Sequence, residues 1–177
     1  MTFNRRNILA GLAGGVALAA GWPGTMARAN TGPRSINLVN LHTGERFSDI
    51  YFESGAPVPE ALAALNAVLR DHRTGDVHAL DPALFDWMTS LQHRLGGTDF
   101  GIISGYRSPK SNAQLRTKSN GVAKKSWHMQ GRAIDLRLSG IDTAALRKLA
   151  IADGRGGVGY YAKSDFVHID TGRPRSW

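Results

Sequence analysis

Apolar and polar residues alternate along SINLVNLHTGERFSDIYF, residues 35–52, in two runs, Ile36–Leu41 and Arg46–Phe52, separated by His42-Thr43-Gly44. A period of two that breaks at a glycine-bearing turn predicts a β-hairpin. The period then changes. From Pro59 to about His72 the apolar positions are 61, 62, 65, 68 and 69, the spacing of an amphipathic helix with proline near its start. A second helix is predicted from Asp81-Pro82 to about Leu95, with Leu84, Phe85, Met88, Leu91 and Leu95 on one face. Asp81 suits its N-cap and Pro82 its first position, and Gly96-Gly97 ends it. FGIIS at 100–104 reads as a short buried strand. The polar stretch from Tyr106 to Ser126 leaves room for about two helical turns near 111–117. Alternation returns at RAIDLRL, 132–138. A helix follows from Thr143 to about Asp153, packing through Ala144, Leu146, Leu149 and Ala150. GGVGYY and FVHID are the last two strands, joined by Ala162–Asp165. Helices precede antiparallel-looking strands without β–α–β alternation. The expected class is α+β, a small, mostly antiparallel sheet with helices packed on one face.

The first residues follow a different pattern. Arg5-Arg6-Asn7 precede an apolar stretch rich in Ala, Gly and Leu, from Ile8 to about Trp22, and Ala27-Arg28-Ala29 has the small-x-small form of a cleavage site. The paired arginines and the weakly apolar stretch fit a twin-arginine export signal. A membrane-spanning helix needs about 20 mainly apolar residues, and Gly21-Trp22-Pro23-Gly24 interrupts the run. Residues 1–29 are therefore expected to be a cleaved signal peptide, with Asn30 the first mature residue. Residues 30–35 would be a short linker and 36–177 a single domain. The expected location is periplasmic or otherwise exported, with no stable membrane anchor after cleavage.

Charge and composition narrow the chemistry. The chain is +8, and the leader holds three arginines and no acid, so the mature part is +5. A basic exported domain suits an anionic wall polymer. Nucleic acid is not an expected partner, because the cations form no arginine-rich run interleaved with aromatics. There is no cysteine, so any metal site must use His, Asp and Glu.

SWHMQGRAID, residues 126–135, places His128 and Asp135 seven apart. If the chain turns at Gly131, His128 folds back over the start of the strand that carries Asp135, so helical spacing is not needed. His168 in FVHID is a third donor. His42, His72, His78 and His93 lie in a turn, a polar loop or near helix ends and are poorer candidates. A His–Asp–His set with an open fourth position is how catalytic zinc is held. The alternative is structural: His128 capping a turn, Asp135 paired with Arg132 or Arg137, and His168 a core histidine.

SWHMQGRAID resembles the S-x-H-x-x-G-x-A-x-D signature of the zinc D-Ala-D-Ala carboxypeptidases and dipeptidases, which share a fold with the Hedgehog signalling domain. SGYRSP at 104–109 and FVHID resemble two further blocks of that family. GVGYY, FVHID and a terminal Trp are similar to its YcbK-like branch of murein endopeptidases. The likeness spans roughly residues 36–177. It implies that His128, Asp135 and His168 bind Zn2+ and that Arg107 holds substrate and stabilises an oxyanion. It also implies a general base three residues before the last histidine, where Asp165 stands; Asp170, on the His168 face, is the alternative base or an orienting partner. Ser104 and Tyr106 are expected to brace the Arg107 loop, and Trp127 to pack or wall the cleft. The implied activity is hydrolysis of peptidoglycan stem peptides or cross-links, and the protein is expected to act as a monomer. A non-catalytic wall-binding module with the same zinc fold, and a purely structural zinc, are the alternatives.

Overall fold

The computed structural model describes residues 32–119 and 121–177. The leader proposed for 1–29 lies outside them. Among the described residues no helix is long and apolar enough to cross a membrane.

Strands β1 (Arg34–Asn40) and β2 (Arg46–Glu53) form the hairpin, and the two-residue β3 (Ala56–Pro57) extends it. Helix α1 (Pro59–Val68) follows. Leu69 leaves helical geometry, so the chain turns through 69–76 where the apolar spacing had extended the helix to His72. Helix α2 (Pro82–Leu95) starts as expected: the Asp81 carboxylate accepts the Ala83 N–H, and Gly96 closes the helix in the left-handed conformation. After β4 (Phe100–Ser104), helix α3 (Pro109–Lys118) is capped by Ser108, whose hydroxyl accepts the Ser111 N–H. A 310 turn, Trp127–Gln130, leads into β5 (Ala133–Leu138). Helix α4 (Thr143–Asp153), capped by Asp142, β6 (Gly157–Tyr161), a 310 turn at Ala162–Ser164, β7 (Phe166–Asp170) and β8 (Arg175–Ser176) complete the chain.

The fold is α+β, and the sheet is larger and more mixed than the local pattern indicated. Eight strands lie in the order β3-β2-β1-β4-β5-β7-β6-β8. β1–β4 and β6–β8 are parallel and the other five pairings antiparallel. The parallel pair β1–β4 arises because α1 and α2 intervene between two strands that become neighbours. This crossover is not visible in local alternation. Helices α2 and α4 contact the sheet and each other. Leu84, Phe85, Met88 and Leu91 of α2 and Leu146 and Ala150 of α4 are buried together with Ile134, Leu136, Val158, Val167 and Ile169. Each fully buried large side chain contributes about 1.5–3 kcal/mol of burial free energy. Strand alternation then fixes the opposite face: Asp135, His168 and Asp170 cannot point into that apolar layer.

Candidate metal centre

Register brings the polar face to one place. Asp135 on β5 lies directly across from His168 on β7, which lies across from Gly159 on β6; Ser104 on β4 flanks Asp135 on its other side, after a bulge. His128 arrives from outside the sheet. The 310 turn carries it back over the start of β5, and Gly131 makes the reversal at φ +66°. A side chain at 131 would also meet the Ala79 carbonyl at 2.1 Å, so the position excludes anything larger than glycine.

The three groups converge. His128 Nε2 lies 3.2 Å from His168 Nδ1 and 3.2 Å from Asp135 Oδ1, and His168 Nδ1 lies 2.8 Å from Asp135 Oδ1. All three residues are buried, and they form a group able to hold a metal ion. Each imidazole is fixed by its far nitrogen. His128 Nδ1 donates to the Gly105 carbonyl at 2.8 Å, and His168 Nε2 donates to Asp170 Oδ2 at 3.0 Å. A carbonyl can only accept, so His128 carries its hydrogen on Nδ1 and turns a lone pair inward. Two inward lone pairs and a carboxylate oxygen within 3.2 Å repel one another unless a cation or proton sits between them. Tetrahedral zinc with donors at about 2.0–2.2 Å requires donor separations of roughly 3.3–3.5 Å. The observed triangle is close to that, so the residues fit zinc.

Electrostatics agree with this geometry. Burial alone would raise the Asp135 carboxyl, but His128 and His168 outweigh it and hold it well below the ordinary range. Burial pushes His128 down. It would also lower His168, but the carboxylates of Asp135 and Asp170 raise it to about 9. Without a metal ion, a proton on His168 neutralises the cluster; with one, that proton must leave. Asp170 is fully buried, and its contacts with His168 and Arg175 overcome burial and keep it ionised.

The triad lies in a cleft of about 390 Å³ whose lining includes Arg107, Lys125, Trp127, Tyr161, Phe166 and Trp177. The Arg107 guanidinium is 3.5 Å from Asp135 Oδ2 and 3.3 Å from Ser104 Oγ, and its buried Nε has no partner. Burial lowers its pKa, partly offset by Asp135; a guanidinium stays charged all the same. Tyr106 donates its N–H to Leu69 O and stacks on His78, so it braces the loop.

A protein-family model described as Peptidase_M15_2, peptidoglycan L,D-endopeptidase MepK, matches residues 28–177. The chain belongs to this family. The peptidoglycan L,D-endopeptidase MepK of Escherichia coli strain K12 is 46% identical, across 98% of this chain and 97% of that protein. The Shigella flexneri protein of the same name matches equally well. The probable peptidoglycan L,D-endopeptidase MepK of Haemophilus influenzae is 41% identical, across 82% of this chain and 79% of that protein.

Of the two acids considered as general base, Asp165 lies outside the residues that line the cleft and Asp170 lies directly behind His168. Asp165 is not in the cleft. The turn at Ala162–Ser164 leaves it in the left-handed region, φ +51°, with its side chain 61% exposed. It accepts a hydrogen bond from Thr143 on α4 at 2.8 Å and faces Arg137 at 3.7 Å. Asp165 is the expected general base, yet its carboxylate is engaged by Thr143 and Arg137, outside the described residues that line the cleft. Asp170 sits behind His168, with no surface of its own to offer.

Sequence reasoning also missed Arg175. Its guanidinium holds both Asp170 oxygens, at 2.9 and 2.7 Å, and β8 sets it there by pairing with β6. TGRPRSW has no period to announce a strand, and two residues are too few to show one. Trp177 packs over His168 at 5.3 Å between ring centres, in space left by Gly159, where a Cβ would lie 2.7 Å from the indole. The remaining histidines stand apart from the triad: His42 stacks on His72, and His78 on Tyr106. A larger groove near Arg34, His93 and Arg94 brings together no group of three metal donors among the described residues, and Arg34 and Arg94 are paired with Asp86 and Asp153.

Proposed function

We propose that this chain is an exported zinc peptidase that hydrolyses an L,D bond in peptidoglycan stem peptides or cross-links. The observation that carries the reading is the inward convergence of His128, Asp135 and His168 at the floor of a cleft that also holds a buried guanidinium. Membership of the family supports the substrate.

The donors are two imidazoles and one carboxylate, which suits zinc with a fourth position left open. A zinc ion held by these three residues would bring the pKa of bound water near neutrality and polarise a carbonyl. The chain's own residues do the remainder. Asp170 holds His168 so that Nδ1 faces inward, and the Gly105 carbonyl holds His128 so that Nε2 faces inward. Arg107 has unused N–H capacity beside the triad and is placed to donate to the carbonyl oxygen of the scissile bond as negative charge grows there. Trp127, Tyr161, Phe166 and Trp177 wall the cleft against bulk water. Asp165 is assigned a structural role in closing the β6–β7 turn against α4. The reading includes a twin-arginine leader over 1–29, removed before Asn30, and action as a monomer.

The test is digestion of purified sacculi by the zinc-loaded chain, with fragments identified by mass. Release of peptides cut at an L,D bond, stopped by a strong chelator and restored by zinc, is expected. Binding to sacculi without release of any fragment would instead assign a wall-binding module.

A further inference from the structure

The net positive charge of the domain comes from one segment. Residues 100–134 contain Arg107, Lys110, Arg116, Lys118, Lys124, Lys125 and Arg132, and no aspartate or glutamate. Residues 30–99 and 135–177 together hold twelve lysines and arginines against fourteen acids. The excess of five positive charges in residues 30–177 therefore originates entirely in 35 consecutive residues.

Described residues of this segment also form one wall of the cleft, where Arg107, Ser119, Ala123, Lys125 and Trp127 lie beside the triad. Two of its cations are engaged: Arg107 faces Asp135, and Arg132 contacts Thr171 and Asp81. Lys110, Arg116, Lys118, Lys124 and Lys125 are exposed and form no ion pair with any described residue. Across the cleft, Arg175 is neutralised by Asp170. Asp135, turned toward the metal position, is the one acid among the described residues that line the cleft. A cleft walled by one sign of charge focuses its field on whatever enters, and its own repulsion is relieved only by an anion.

We propose that the described residues of 100–134 that line the cleft form a carboxylate-recognition wall, with Lys125 and its neighbour Lys124 pairing with a free carboxylate of the peptide that lies over the triad. The proposal rests on the peptidase reading, which supplies the anion: a cross-linked wall peptide carries free carboxylates close to the bond that is cut. Lys125 is the member of the five unpaired cations that lines the cleft. Arg116 and Lys118, on the last turn of α3, add to the positive charge of the segment. Lysine suits this role because its ammonium is a mobile point charge that adapts to carboxylates at differing positions.

The experiment uses the full chain, loaded with zinc, and two synthetic cross-linked peptides. They are identical except that the carboxylates flanking the scissile bond are free in one and amidated in the other. Lys124→Ala/Lys125→Ala should raise KM for the free-carboxylate peptide about tenfold with little change in kcat. Amidation should raise the KM of the unsubstituted chain comparably. Added salt should weaken its preference for the free acid. Lys148→Ala on α4, which removes an equal charge outside the wall, should leave KM unchanged. Cleavage of both peptides with KM indifferent to amidation and to the double substitution overturns the wall and leaves the peptidase reading standing. A zinc-loaded chain that cleaves neither peptide overturns the peptidase reading and the wall with it.

Discussion

His128 and His168 each commit one ring nitrogen to the protein and present the other to the triad, and this division sets the site's chemistry. For His168 the commitment is to Asp170, a buried carboxylate that has Arg175 on both its oxygens and the Gly172 N–H on one. Asp170→Asn keeps the size of the side chain but removes the charge that holds the imidazole. Zinc affinity, read by competition with a chelator, should fall by about 10–100-fold with the fold retained. Asp165→Asn makes the converse prediction. Asparagine tolerates the left-handed backbone at 165, so the substitution tests the carboxylate alone. Turnover of sacculi should persist, and stability should fall by about 0.5–1.5 kcal/mol as the Thr143 bond weakens. Loss of turnover with zinc still bound would restore Asp165 as the proton acceptor.

Among the elements, the bend after α1 is the least regular and one of the most consequential. Leu69 O accepts the Tyr106 N–H, and a side chain at Gly105 would strike that carbonyl at 2.5 Å. Asp71 accepts the Ser108 N–H at 2.8 Å and the Arg73 N–H at 2.9 Å. The loop that carries Arg107, and the Gly105 carbonyl that orients His128, are thus anchored to residues 69–73. Arg107 N–H donates in turn to His128 O at 3.2 Å, joining the loop to the 310 turn. Burial would raise the Asp71 carboxyl, but the nearby Ser111 and Ser108 hydroxyls and the Arg73 and Ser108 N–H groups outweigh it and depress it. A depressed folded-state pKa contributes stability above the unfolded value, about 3.9, and that contribution is lost as pH falls toward the folded value. Asp71→Asn should therefore be less stable than the unsubstituted chain at pH 7. The gap between their urea midpoints should narrow below about pH 4.

At the scale of the molecule the sheet separates two environments. One face is sealed by α2 and α4 over an apolar layer, and the other bears the triad, so the rigid core fixes the strands on which two of the donors ride. The third donor depends on a turn, and a bound ion would tie that turn to the sheet. Zinc at about one hundred times its Kd should stabilise the native state by about 2.7 kcal/mol. For a domain of this size that is a rise in Tm of roughly 5–10 °C. Calorimetry with and without chelator checks it, and His128→Ala should abolish the rise.

The sequence by itself determined the directions within each element. Period-two alternation in RAIDLRL and FVHID put Asp135, His168 and Asp170 on one parity and Ile134, Leu136, Val167 and Ile169 on the other. Asp81-Pro82 and Gly96 bounded α2, and the three motif blocks marked the residues that converge. These properties are local, set by backbone geometry over a few residues. The tertiary structure alone decided which groups meet. It set the register that puts Asp135 opposite His168, and the parallel β1–β4 and β6–β8 pairings. It also set the far-side partner of each imidazole, the reach of Arg175 to Asp170, and the turn that takes Asp165 away to Thr143. Those outcomes depend on strand order, loop path and packing between residues tens of positions apart, and no local period records them.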